Sequence, residues 1–211
     1  MWRIFENFRG IFKCFWDYGE YTVSLNRVNH FLNLPIKNDN LEGIKLDSAI
    51  VIQTIQLRRV SFQYSSQTEV CLKNESLTFT AGKVNYLTWP NGTGKSTLLY
   101  LILGILHPQQ GKITLETSTG KSYNLHQEIN LQHWREQRIA YAAHENLIET
   151  GSTGQKQWQN LETILTKRSQ AQAFLFDEAD NALDSTKQAL LHQKLTHLAK
   201  DKVVIYISHQ A

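Results

Sequence analysis

The sequence predicts an α/β domain built on a mostly parallel sheet flanked by helices. Three observations carry that expectation. Ala173-Phe174-Leu175-Phe176 and Val203-Val204-Ile205-Tyr206-Ile207 are unbroken apolar runs, as strands buried on both faces require. A helical pattern from Ser185 to Lys200 separates them, with Leu191, Leu195 and Leu198 expected to face inward. A glycine-rich loop, Pro90-Asn91-Gly92-Thr93-Gly94-Lys95-Ser96-Thr97, lies between a strand and an apolar helix. Strands alternating with helices favour parallel pairing through crossover connections.

Along the chain, residues 1–34 read as an amphipathic helical segment. Trp2, Phe5, Phe8, Phe12, Phe15 and Trp16 recur at spacings of three and four. Such a stripe suits packing on another chain or a membrane surface, or cover for this protein's own core. Pro35 stops the pattern, and residues 35–50 read as a polar linker. Ile55 and Leu57 alternate with polar residues, as do Val60, Phe62 and Tyr64, which predicts a strand. Ser65-Ser66-Gln67 is an expected turn and Leu77-Thr78-Phe79 another strand. Val84 to Thr88 feeds the glycine-rich loop, yet it is more polar than a buried parallel strand should be. Beyond the apolar helix, Gly104 and Pro108 are stop signals. Strands are then expected at Gly111 to Leu115 and at Ile139 to Ala142, with a hairpin turn at Thr119-Gly120. Gly151 to Gly154 reads as a loop. Gln155 to about Arg168 reads as a helix with Trp158, Leu161, Ile164 and Leu165 on one face.

A chain of 211 residues accommodates one ordinary domain and an appendage, and 41% hydrophobic residues suffice for a core. A net charge of +3 is too small to imply a nucleic-acid partner, and none is expected. Cys14 and Cys71 have no metal-like spacing and read as reduced thiols. Arg3, Glu6, Arg9 and Lys13 interrupt the N-terminal apolar residues, so a secretory signal is not expected. Nor does any apolar run reach the roughly 18 residues a spanning helix needs, so no transmembrane segment of its own is expected.

The glycine-rich loop carries the first piece of chemistry. Small residues let the backbone curl so that successive N–H groups face an anion, and the helix N-terminus adds its positive dipole. Lys95 would then reach the outer phosphates of a nucleotide, and the Ser96 hydroxyl would ligate Mg²⁺. Trp89 stands where the pattern G-x-x-x-x-G-K-[ST] has its first glycine. The second piece is Phe174-Leu175-Phe176-Asp177-Glu178, an apolar strand ending in two carboxylates. Ligands of open α/β sheets gather at such strand ends. Asp177 would hold Mg²⁺ through water, and Glu178 would polarise an attacking water as general base.

With both pieces in place, the chain resembles the nucleotide-binding domain of ATP-binding cassette (ABC) transporters of the exporter type, over roughly residues 18–211. Asp177-Glu178-Ala179-Asp180-Asn181-Ala182-Leu183-Asp184 is similar to the family's Walker B motif and D-loop. His209, after the last strand, resembles the switch histidine and would contact the γ-phosphate. Tyr64 resembles the aromatic residue that stacks on adenine. Ser24 to Leu32 resembles the segment after an exporter's last transmembrane helix. The resemblance implies a P-loop ATPase fold with an antiparallel β-subdomain, residues 51–211 forming the cassette.

It also implies ATP and Mg²⁺ as ligands. Nucleotide contacts fall to Tyr64, Asn91, Gly92, Thr93, Gly94, Lys95, Ser96 and Thr97. Metal contacts fall to Ser96, Asp177 and, in place of the family's Q-loop glutamine, His144. Glu178, His209 and Lys95 are the expected catalytic groups. Gly151-Ser152-Thr153-Gly154-Gln155 stands for the signature Leu-Ser-Gly-Gly-Gln, so Ser152, Gly154 and Gln155 would reach the nucleotide of a partner cassette. Seven residues separate His144 from Ser152, so the helical subdomain found there in the family is largely deleted.

These features imply an ATP-binding and ATP-hydrolysing subunit or fragment of an exporter, peripheral on the cytoplasmic face of the membrane. It would pair with a membrane-spanning domain on another chain and with a second cassette, in a homo- or heterodimer. The alternative is a catalytically impaired pseudo-cassette serving as a nucleotide-binding regulator or partner module, which the altered signature and Q-loop favour. A nucleic-acid motor is a third class, since Asp177-Glu178-Ala179-Asp180 spells the helicase DEAD box; the Asn-Ala-Leu-Asp that follows fits the cassette family better.

Overall fold

The computed structural model of the chain describes residues 40–64, 71–90, 93–142 and 153–208. The N-terminal helix expected over 1–34 and the turn expected at 65–67 lie outside these. Residues 39–211 form one compact unit, distinct from residues 1–38.

Two four-stranded sheets make up this unit. The first is antiparallel and contains β1 (Ile52–Phe62), β2 (Leu72–Thr80), β4 (Gln110–Thr117) and β5 (Ser122–Asn124), in the order β2-β1-β4-β5. The second is parallel and contains β3 (Val84–Leu87), β6 (Ile139–Ala142), β7 (Ala173–Asp177) and β8 (Val203–Ile207), in the order β3-β8-β7-β6. The helices are α1 (Lys95–Ile102), the short α2 (Leu131–His133) leading into a π-helical turn (Trp134–Arg138), α3 (Thr153–Lys167) and α4 (Ser185–Leu198).

The sequence pattern accounts for the strands in detail. In β1 the buried residues are Ile52, Ile55 and Leu57, then Val60 and Phe62. The step of three between Leu57 and Val60 breaks strict alternation, and an irregularity absorbs it. Arg59 takes φ 50°, and the register to β2 shifts between Leu57 and Val60. The extra residue returns Val60 to the core side. Tyr64 lies beyond the end of β1, and β2 begins at Leu72, five residues before the expected start.

The polar character of β3 also has a cause. It is an edge strand of the parallel sheet, and Tyr86 is 53% exposed. Its one buried polar residue, Asn85, is hydrogen-bonded on all sides. The carboxamide donates to the carbonyls of Thr80 and Val204, each at 2.9 Å, and accepts from the Thr80 N–H at 3.1 Å. A buried amide so satisfied fixes where β3 starts.

β7 and β8, interior to the sheet, are buried throughout, as their unbroken apolar runs require. On one face, Phe174, Phe176, Val204 and Tyr206 pack against Leu161 of α3 and Leu191 and Leu195 of α4. Trp158, Ile164 and Leu165 cover that cluster from the partly buried side of α3. Leu198, expected to face inward, is only partly buried; Ala199, one residue on, is the buried position at the end of α4. α1 buries Leu98, Leu99, Leu101 and Ile102, and the Trp134 indole donates to the Ile102 carbonyl at 2.9 Å.

From Asn40 onward the expected linker is docked on this unit. Leu46 is buried, Ile44 bridges to Ile129, and the Gly43 N–H donates to the Asn40 carbonyl. A Cβ on Gly43 would stand 2.6 Å from the Ile129 backbone, so the stretch lies flat against that loop.

Candidate functional site

Asn91, Gly92, His144, Ser152 and His209 lie outside the described residues. The other expected site residues sit on four elements. β3 leads into the loop, and the loop into α1 through Gly94, which takes φ 93°. That backbone region is open to glycine at little cost. A Cβ there would also meet the Cys71 carbonyl at 2.8 Å and a Leu72 methyl at 2.9 Å. Thr93 closes the turn before it, its hydroxyl donating to the Pro90 carbonyl at 2.6 Å.

The next residue, Lys95, is 7% exposed. Its ammonium donates to the Trp89 carbonyl at 3.0 Å and stands 4.0 Å from Glu178 Oε1. The contact with residue 89 is made by the main chain, so tryptophan offers the same acceptor as the glycine of the usual pattern. The Ser96 hydroxyl is exposed and lies 3.4 Å from Asp177 Oδ2. A hydroxyl and a carboxylate oxygen meeting at one point are hard oxygen donors of the kind Mg²⁺ takes. The residues present therefore fit a Mg²⁺–nucleotide.

At the end of β7, Asp177 is 9% exposed. Glu178 follows with φ 51°, a left-handed conformation that costs a non-glycine residue on the order of 1 kcal/mol. Two contacts hold it there. Its N–H donates to the Ile207 carbonyl at 3.1 Å, and Oε2 accepts from the Asn181 amide at 2.9 Å. The reversal turns the Glu178 side chain out of the strand's alternation and toward Lys95. Ser208 donates its N–H to the Leu87 carbonyl at 3.3 Å, which ties the end of β8 to the end of β3 below the loop.

Tyr64 lies beside α1. Its hydroxyl is 3.1 Å from the Thr97 hydroxyl, which is also 3.2 Å from the Cys71 thiol. The ring meets Phe62 edge to face at 5.0 Å. Burial pushes the Tyr64 phenol up, and the hydrogen bond from Thr97 opposes that shift.

Gly154 and Gln155 fall inside the first turn of α3, which begins two residues earlier than the expected helix. A Cβ on Gly154 would stand 2.4 Å from the Ala182 carbonyl oxygen. The Gln157 carboxamide accepts from the Ala182 N–H at 3.0 Å. Close packing on the turn after Glu178 thus requires glycine here. Gln155 is exposed.

Two tyrosines join the site that motif reasoning passed over. Tyr141 at the end of β6 and Tyr100 on α1 both lie within electrostatic reach of Asp177 and of each other. Burial raises both phenols, with the Asp177 charge adding to it. The signal for Tyr100 was its place four residues after Ser96, on the same face of α1.

A family model, described as ABC transporter, matches residues 72–208. The chain belongs to the ABC transporter family. Its kind is the nucleotide-binding domain of exporters. An ATP-dependent lipid A-core flippase of Haemophilus influenzae is 27% identical over 199 residues, covering 74% of this chain and 34% of the flippase. The ABC transporter B family member 14 of Arabidopsis thaliana is 26% identical over 199 residues, covering 74% of this chain and 16% of that protein. Among solved structures, a bacterial Atm1-family ABC exporter with ATP bound superposes with a TM-score of 0.57 at 16% identity. That match covers 80% of this chain and 37% of the exporter, and it shows the ABC ATPase fold. This cassette thus spans about a third or less of the length of these relatives. Among its described residues no helix is long and apolar enough to cross a membrane.

Proposed function

We propose that this cassette binds ATP with Mg²⁺ at the loop before α1 and hydrolyses it as the energy-supplying part of an exporter. The observation that carries the reading is the convergence of two pairs from distant parts of the chain. Lys95 faces Glu178 at 4.0 Å, and Ser96 faces Asp177 at 3.4 Å. In this reading Lys95 holds the outer phosphates, with the loop residues Asn91, Gly92, Thr93 and Gly94 and the start of α1 at Ser96 and Thr97. Tyr64 lies against the base. Ser96 and Asp177 hold the cation, with His144 as a further contact. When bound, Mg²⁺ neutralises charge that develops on the phosphate oxygens. Glu178 orients and polarises the attacking water, and His209 contacts the transferred phosphoryl group.

The reading extends to partners. A membrane-spanning domain on another chain would receive the work, and a second cassette would complete the site through Ser152, Gly154 and Gln155. The cassette would then lie on the cytoplasmic face of the membrane. Its support is the exporter character of the relatives. Measuring phosphate release against protein concentration tests hydrolysis and pairing together. A second-order rise is expected. A flat zero with retained nucleotide binding would leave binding and remove catalysis.

A further inference from the structure

Asp177 is approached from two sides, and the loop and carboxylate pattern uses only one of them. Tyr141 pairs across β6 and β7 with the position next but one to Asp177, Leu175. The pleat therefore puts the Tyr141 and Asp177 side chains on the same face of the sheet. Ser96 and Tyr100, four residues apart, share one face of α1. The two faces meet at the carboxylate, where Ser96 Oγ is 3.4 Å from Oδ2. Tyr141 from the sheet and Tyr100 from α1 thus flank that carboxylate, whose charge reaches both phenols. Asp177 is almost buried, so few solvent contacts compete with these.

The chemistry of the donor matters. A lysine or arginine here would neutralise Asp177 and compete with a cation. A phenol is uncharged near neutral pH and donates one hydrogen bond while leaving the carboxylate its charge. Groups that orient a metal-binding carboxylate in this way raise metal affinity without touching the ion.

We propose that Tyr141, backed by Tyr100, is a positioning residue that holds the Asp177 carboxylate with one oxygen beside Ser96 turned to a divalent cation. This rests on the Mg²⁺–ATP reading and adds a residue from outside its motifs. Tyr141→Phe in the full chain keeps the ring and removes the hydroxyl. The readout is binding of a fluorescent ATP analogue, mant-ATP, titrated with Mg²⁺ and repeated in EDTA. The Mg²⁺ concentration for half-maximal binding is expected to rise roughly tenfold or more, as outer-shell substitutions typically do. Affinity in EDTA is expected to stay unchanged, which a general loss of structure would not allow. Tyr100→Phe should shift the Mg²⁺ midpoint the same way by a smaller factor. It also keeps the test open should Tyr141→Phe fail to melt as a folded protein. Unmoved midpoints in the folded variants, beside a wild type that binds, would overturn the role of Tyr141 alone. A wild type that binds no mant-ATP under either condition would overturn the nucleotide reading, and this role with it.

Discussion

The Lys95 ammonium and the Glu178 carboxylate face one another at 4.0 Å, with side chains 8% and 13% exposed. Lys95 opens α1, reached from β3, and Glu178 directly follows β7, two places away in the parallel sheet. The β8 strand between them sets the gap. Its Ile207 carbonyl holds Glu178, and Ser208 after it holds the end of β3. The ion pair is thus built by the sheet, and each partner can be removed separately.

Lys95→Ala should weaken ATP binding by roughly 10- to 100-fold, the usual range for a lost charged hydrogen bond near 1.5–3 kcal/mol. Isothermal calorimetry checks it. Unchanged affinity would place the nucleotide elsewhere.

Glu178→Gln keeps the shape of the side chain and its contact with Asn181 while removing the base. Nucleotide affinity should persist, and phosphate release should fall by about 10²–10⁴-fold. Retained turnover would assign the water-activating role to another group.

Gly94→Ala forces a Cβ into the left-handed region and against the Cys71 carbonyl. A loss of about 1–3 kcal/mol is expected, which lowers the melting temperature by roughly 5 °C in a domain of this size. Nucleotide affinity should fall further than the melting temperature explains, because the same residue shapes the loop.

Acid should destabilise the fold through His126. Burial first, and the neighbouring His107 second, lower its pKa to about 4, against the opposing carbonyls of Leu106 and Leu101. The unfolded chain therefore binds a proton near pH 6.5 that the folded chain refuses until about pH 4. The associated stability is present above the unfolded value and drains away as pH falls through this window. At pH 5 the loss is about 2 kcal/mol. Urea midpoints at pH 7.5 and pH 5 should differ more in the wild type than in His126→Gln.

Much of this architecture was legible in residue order. The apolar runs of β7 and β8 announced central strands because a strand covered on both faces has no polar positions to spare. The loop at Gly94 was legible because few residues tolerate its backbone. Other features depend on long-range contacts that no local pattern encodes. The polarity of β3 was out of keeping with a buried parallel strand until its edge position and the backbone partners of Asn85 were seen. The uneven step from Leu57 to Val60 was present in the sequence, but its meaning as a bulge depends on pairing with β2. Trp89 looked like a defect in the loop, yet its carbonyl supplies the acceptor that Lys95 uses. The position of Tyr141 beside Asp177 required knowing that β6 and β7 are neighbours.

The contact of Gly154 and Gln157 with Ala182 has a mechanical consequence. Ala182 lies one residue after Asn181, whose amide grips Glu178. The start of α3 and the turn beyond β7 are therefore joined like meshed gears within a single chain. The first turn of α3, at Thr153 to Gln155, is thereby linked to the Glu178 carboxylate through Gln157, Ala182 and Asn181 of the same chain.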